Sequence, residues 1–289
     1  MRSSSFTLPN GLTLLGMNAF ETRVLFHEVF ESDAYWKNGL RLQPGDIVFD
    51  VGANIGMFGL GAAERFPGVV VHAFEPMPGV YPVLVENARR CDRARIETYP
   101  FGLSKAAGIE SFTFDPKFTF AASSHIGELA SILRGRAGPG GWREAVVEDL
   151  RVTGVDDDGT LGPTVRKALA RTPTAVALFA GIVLRRALSV RRVRAPVKTL
   201  SEAVAAIAPP RIDLLKVDVE GAELDVLAGI AHTTWPLVRH VVVEVHDVDH
   251  RVERIRALLE GQGFEVLVEQ EPRRLKQLLA MHLVYGRRR

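Results

Sequence analysis

Two acidic clusters carry the chemistry open to this chain. The first is the stretch Asp50-Val51-Gly52-Ala53-Asn54-Ile55-Gly56, which follows an apolar run, together with Glu75-Pro76 at the end of the next one. Glycines between a buried strand and a helix let a ligand approach the backbone, because a Cβ there would obstruct it. A carboxylate ending the following strand can accept both hydroxyls of a ribose. The dinucleotide pattern G-x-G-x-x-G would need glycine at position 54, where this chain has Asn54, and Asp50 would repel a pyrophosphate. A ligand with a sulfonium and a free ammonium suits that carboxylate, and S-adenosylmethionine has both and no phosphate. The candidate cofactor residues are therefore Asp50, Gly52, Asn54, Gly56, Glu75 and Pro76. A tight strand-to-helix turn with a capping acid is the structural alternative.

The second cluster lies far down the chain. Lys216, Asp218 and Glu220 occupy alternate positions at the end of one apolar run, and Glu244 and His246 do so at the end of the next. Alternate residues share a face while a strand persists. If the two strands are neighbours, these groups converge beyond the sheet edge, beside a transferable methyl. Methyl transfer is an in-line displacement, so positioning of donor and acceptor dominates. A hydroxyl acceptor also needs a base or a Lewis acid as its oxygen attacks.

Two readings fit the candidate catalytic residues His246, Asp218, Glu244 and Glu220. In one, His246 is the general base and Asp218 or Glu244 orients its imidazole. In the other, Asp218, Glu244 and His246 hold a divalent ion such as Mg²⁺. The first is preferred, because no dedicated metal-ligand spacing is present. Simpler roles compete: Asp218 or Glu220 capping a helix that begins near Gly221, and Lys216 neutralising the acids. His27, His72 and His240 read as structural.

The elements that must position these residues follow from apolar periodicity. Phe6 to Leu15 reads as a hairpin around Asn10-Gly11, a pair favoured in tight primed turns, and a helix follows with apolar residues at helical spacing, Val24, Leu25, Val29 and Phe30 among them. "IVFDVG" and "VVVHAFEP" are buried strands, "MFGLGAAERF" is a helix ending before Pro67-Gly68, and "GVYPVLVENARRC" is a helix broken early by Pro82. "RIETYPFGLS" supplies a third strand and "GIESFTF" a short alternating one. Regularity returns at "TLSEAVAAIA", where Thr199 and Glu202 fit a capping box. Strand, helix, strand and helix follow, and "FEVLVEQ" and "HLVYGRR" close the chain. Alternating strands and helices, apolar on both faces, predict a parallel α/β sheet, with one antiparallel member from the closing pair.

The chain reads as one domain over 1–289. A hairpin and helix occupy 1–44, a cofactor-binding half 45–124, an insertion 125–196, and the second half of the sheet, bearing the acceptor-site acids, 197–289. The insertion is rich in Gly, Arg and Asp, partly helical, and shows no parallel-sheet strand. Its apolar stretch Thr174 to Leu184, at about 11 residues, is too short for a bilayer span of about 20. At 289 residues, 47% hydrophobic and 24% charged, the composition is that of a soluble globular protein. A net charge of +2 gives no strong field for nucleic acid, and the arginine runs lack an aromatic stacking motif. With Cys91 as the single cysteine and no secretory signal, a cytoplasmic location is expected.

"LPNGLTLL", "PGDIVFDVGANIGMFGL", "HAFEPMPGVYPVLVENA", "GLSK", "TLSEAV", "IDLLKVDVEGAELDVLAGI" and "VVVEVHD" occur in an order that resembles FkbM-type S-adenosylmethionine-dependent methyltransferases. The resemblance covers about Leu8 to Phe120 and Val197 to Tyr285. It implies a Rossmann-like, seven-stranded class I methyltransferase sheet that methylates an oxygen of a small, glycosylated or polyketide-type secondary metabolite. Ser123 and Ser124 lie where such proteins often carry small hydroxyl residues near the cofactor. The expected partner is a small-molecule acceptor, apolar or glycosylated, and a homo-oligomer is left open. The competing readings are a carboxylate or nitrogen acceptor, an NAD(P)-dependent oxidoreductase, and a non-catalytic module that binds the cofactor.

Overall fold

A computed structural model describes residues 3–115, 118–123, 191–270 and 272–288. The first apolar stretches pair antiparallel as β1 (Ser4–Thr7) and β2 (Thr13–Gly16). Their connection is longer than the tight turn expected at Asn10-Gly11. Leu8 N donates to Leu12 O and Gly11 N to Leu8 O, and the left-handed residue is Gly11, at φ +86°. Pro9 fixes a negative φ at the start of the turn, so a three-residue loop closes the hairpin. Helix α1 (Ala19–Phe26), capped by the Asn18 side chain, runs into a π-helical turn His27–Glu31 and a short 3-10 turn Ala34–Trp36.

The cofactor half follows as β3 (Ile47–Val51), α2 (Met57–Arg65), β4 (Val70–Phe74), α3 (Tyr81–Arg90) and β5 (Arg95–Tyr99). Pro82 lies in the first turn of α3 and starts the helix instead of breaking it. A proline there loses no hydrogen bond, since the first N–H groups have no partner within the helix. Then come β6 (Gly102–Leu103), β7 (Gly108–Asp115), β8 (Phe118–Ser123) and β9 (Arg191–Lys198). The second half holds α4 (Leu200–Ile207), β10 (Ile212–Val217), α5 (Glu223–Ala228), β11 (Val238–His246), α6 (Arg251–Gly261), β12 (Phe264–Gln270), α7 (Arg274–Leu278) and β13 (Met281–Arg288). The expected capping box, Thr199 with Glu202, starts α4.

The central sheet has seven strands in the order β12-β13-β11-β10-β3-β4-β5. β13 runs antiparallel to both neighbours and the other pairs are parallel, as the closing strand pair predicted. Successive residues of one strand enter opposite cores: Val48 and Leu214 pack on one face, Phe49 and Leu215 on the other. That explains the continuous apolar runs, because both faces are buried. A second sheet, β6-β9-β7-β8, corrects the reading of the insertion. Arg191-Arg192-Val193-Arg194 belongs to a strand paired with β7, with Arg192 and Arg194 exposed and Ala195 and Val197 buried. The period of two was present there but hidden under arginines. The apolar stretch at 174–184 lies outside the described residues, among which no helix is long and apolar enough to cross a membrane.

Chain direction across the sheet reverses between β3 and β10, which lie side by side in the middle. A crevice opens outside the carboxyl ends of strands at such a switch point. Both acidic clusters sit there.

Candidate functional site

The turn after β3 is built around its backbone. Gly52 N and Ala53 N both donate to Phe74 O, at 3.1 and 3.0 Å, which ties the turn to the end of β4. Gly52 has φ +79°, and a Cβ on it would overlap the Asp218 carbonyl oxygen. Its lack of a side chain thus admits the neighbouring turn, whereas the sequence suggested a ligand. Gly56, at φ +88°, begins α2 against Leu84 and is buried away from the cavity. Asn54 adopts φ +48° and accepts from Ile55 N at 2.6 Å, a local bond that holds the turn. Beneath it, buried Asn87 donates to Ile55 O and Leu15 O and accepts from Leu15 N, joining the hairpin to this turn.

Glu75 stands at the end of β4. Asn54 N donates to one of its oxygens at 2.9 Å and Met77 N to the other at 2.8 Å. The residue is 5% exposed, and no ion pair reaches it among the described residues. Burial, partly offset by the two amides, pushes its carboxyl up to about 7. Each oxygen keeps a lone pair beyond its amide bond. The residue lines a cavity of about 240 Å³, together with Asn54, Pro76 and Met77.

Asp50 does not face that cavity. It is fully buried, its partner is Lys216 Nζ at 3.1 Å, and burial pushes its carboxyl up against the pull of that lysine. Sequence reading had aimed Asp50 at the cofactor's cations. The structure gives it a resident cation instead.

The second cluster converges in the same cavity, because β10 and β11 are neighbours. β10 stops at Val217, however, and Glu220 has φ +52°, so Asp218 and Glu220 stand on a turn and not on a strand face. Neither caps α5, which starts at Glu223 with no side-chain cap. His246 Nε2 lies 3.1 Å from Glu220, and Nδ1 lies 3.0 Å from Leu279 O. Both ring nitrogens face acceptors, so both must carry protons. Burial opposes that charge, but Glu220, the Leu279 carbonyl and Glu244 raise the imidazolium to about 9. A histidine held in this way favours its protonated form, which is not the form that the expected general base would need. Its partner is Glu220, not Asp218 or Glu244.

Glu244 accepts from Tyr35 OH at 2.9 Å and pairs with Lys276 at 3.5 Å. Lys276 also meets Glu28 at 2.6 Å, where Arg273 approaches at 3.3 Å. Burial raises Glu244, opposed by Lys276, and burial with Glu244 and Asp218 holds the Tyr35 phenol well above its usual range. Among the described residues no group of His, Cys, Asp or Glu side chains is disposed to hold a metal ion. Asp218 and Glu244, two of the residues in the Mg²⁺ reading, each pair with a lysine ammonium. Asp218 has the most accessible side chain of the three acids, 26% against 20% for Glu220 and 11% for Glu244. Burial raises its carboxyl despite Lys216.

Glu28, Tyr35, Arg273 and Lys276 were not singled out from the sequence. They come from opposite ends of the chain and carry no local pattern. Asn87 left a signal, a polar residue on the face of α3 that buries Val83 and Leu84. Pro76 lines the cavity as expected, and Ser123 is placed only as the last residue of β8, with Ser124 outside the described residues. Apolar side chains also line the cavity, Phe20, Val24 and Leu25 from α1, with Leu279 and Met281.

Comparison with known proteins gives the context. Residues 50–266 match the model of the methyltransferase FkbM domain. The 31-O-demethyl-FK506 methyltransferase FkbM of Streptomyces tacrolimicus is 37% identical, over 92% of this chain and 90% of its own length. The methyltransferase sdnD of Sordaria araneosa is 31% identical, over 88% of this chain and 86% of its own. The AMB antimetabolite synthetase AmbE of Pseudomonas aeruginosa is 32% identical over 91% of this chain, which spans 12% of that synthetase.

Proposed function

Because the chain belongs to the FkbM methyltransferase family, we propose that it methylates a hydroxyl oxygen of a small, largely apolar secondary metabolite, with S-adenosylmethionine as donor. The observation that carries this reading is Glu75: a buried carboxylate with no ion-pair partner among the described residues, held by two backbone amides, with lone pairs left for two hydroxyls. A ribose diol fits such a group. Asn54, Pro76 and Met77 would flank the nucleoside. S-adenosylmethionine supplies a methyl group activated on a sulfonium.

The protein's own residues have three tasks. The apolar wall of Phe20, Val24, Leu25, Leu279 and Met281 holds the acceptor's body and excludes water. Asp218, the most accessible acid and one raised by burial, takes the acceptor's proton, in the place first assigned to His246. The pairs Glu220–His246 and Glu244–Lys276 keep the remaining charges of the cavity matched. The relative named for 31-O-demethyl-FK506 supports an oxygen acceptor on a secondary metabolite, and family membership sets the oxidoreductase reading aside.

The test is transfer of labelled methyl from S-adenosylmethionine to a panel of neutral hydroxyl metabolites, with and without EDTA. The expected product is a base-stable methyl ether, formed equally in EDTA, with kcat reduced about 100-fold or more in Asp218→Asn. A base-labile methyl ester, or loss of transfer in EDTA, would refute the hydroxyl or the metal-free part of the proposal.

A further inference from the structure

Lys216 is 3% exposed, yet it borders the cavity. Its register partner on β3 is Asp50. Nζ lies 3.1 Å from Asp50 Oδ1 and 3.4 Å from Asp218 Oδ2, and it donates to the Gly52 carbonyl at 3.3 Å. An ammonium has three donors, and three oxygens surround this one. Its lower side rests 5.4 Å from the centre of the Phe58 ring, which Trp36 stacks against at 4.8 Å. The ammonium is therefore fixed from several directions. It bridges the end of β3, the glycine turn and the turn after β10.

Neutralising Asp50 would need only the first of these contacts. The contact to Asp218 has a different consequence. The Asp218 main chain is tied by its N–H to Val51 O, but that bond does not set the direction of the side chain. Among the described residues, the ion pair to Lys216 is the polar contact that fixes the carboxylate. Glu220, Glu28, Lys276, Glu244 and Tyr35 also face this region; Glu220 and Glu28 push the Asp218 carboxyl up and Lys276 pulls it down, while His246 pairs with Glu220 and Arg273 with Glu28. Without Lys216, the carboxylate would lose the contact that sets its direction, and burial with Glu220 and Glu28 would favour its protonated form.

Resting on the reading of Asp218 as the base, we propose that Lys216 is a positioning residue. Anchored on Asp50 and the Gly52 carbonyl, it holds the Asp218 carboxylate ionised and directed at the place where the methyl is transferred.

A test that needs no acceptor compares two ligands by calorimetric titration. S-Adenosylhomocysteine is neutral at the sulfur position, whereas sinefungin places an amine-bearing carbon there and so senses a nearby carboxylate. The wild type should bind sinefungin about tenfold more tightly than S-adenosylhomocysteine, a preference that Asp218→Asn abolishes. The decisive variant is Asp50→Asn with Lys216→Gln, which removes both charges and leaves no buried ion unpaired. It should lose the sinefungin preference while its affinity for S-adenosylhomocysteine changes by less than about threefold. Lys216→Gln alone, its folding checked by melting temperature, should show the same loss and stands in if the double variant does not fold. A preference that is kept or enlarged in these variants would show that Lys216 only neutralises its neighbours, and would overturn the proposal. Equal binding of the two ligands by the wild type would overturn it as well, since Asp218 would not face the methyl position. Failure of the wild type to bind either ligand is a separate result, and it refutes the cofactor assignment.

Discussion

Glu75 and Asp50 are buried carboxylates at the ends of neighbouring strands, and the fold meets their charges differently. Asp50 has a lysine; Glu75 has two amides and an open side toward the cavity. Sequence alone showed that both acids sit at strand ends but not which one faces the ligand, because β3 lies between two strands and β10 brings Lys216 alongside it. The same limit applies to His246. Its place at the end of β11 was legible, whereas the Leu279 carbonyl and the turned Glu220 that favour its protonated form depend on φ angles and on a loop 33 residues away. His246→Gln should therefore reduce kcat by less than about tenfold, against about 100-fold or more for Asp218→Asn, in the labelled-methyl assay. Equal losses would return the histidine to the base's role.

At the scale of elements, strands, helices and the antiparallel closing strand were legible, since two-sided burial imposes continuous apolar runs. The exceptions have local causes. Pro82 starts α3, Pro9 lengthens the hairpin loop, and arginines disguise β9. Two contacts between elements control the cofactor turn. Gly52→Ala forces a positive φ and a clash with the Asp218 carbonyl, so it should lower stability by about 2 kcal/mol or more in denaturant titration, and weaken S-adenosylhomocysteine binding. Asn87→Ala leaves Leu15 N, Leu15 O and Ile55 O without their partner and should destabilise by about 2–3 kcal/mol, loosening the hairpin and the turn together. Hydrogen exchange at Ile55 and Leu15 checks this. Faster exchange at one site only would separate the two elements.

Across the whole molecule, several buried groups bind protons more tightly when folded than when unfolded. Glu75 and Glu223 are raised to about 7, both chiefly by burial, and His246 is raised to about 9 by Glu220 and its neighbours, against burial. For a raised group, the proton-linked stability is fully present below the unfolded pKa and is lost as pH rises through the folded one. The carboxyl contributions thus fade between about 4.5 and about 7, and that of His246 between about 6.5 and about 9. Each amounts to at most about 3 kcal/mol. The melting temperature of the free protein should fall as pH rises from about 5 to about 9. Glu75→Gln should flatten the lower part of that fall and stabilise the free protein at alkaline pH. A melting temperature that rises over this interval would contradict the burial of these groups.

The most direct test of the central claim is calorimetric titration of the wild type and Glu75→Gln with S-adenosylhomocysteine and, separately, with NADH. The site as described predicts binding of S-adenosylhomocysteine by the wild type, weakened about tenfold or more when Glu75 loses its charge, and none of NADH. Unchanged affinity in Glu75→Gln would show that the carboxylate does not hold the ribose. Binding of NADH in place of S-adenosylhomocysteine would contradict the cofactor assignment altogether.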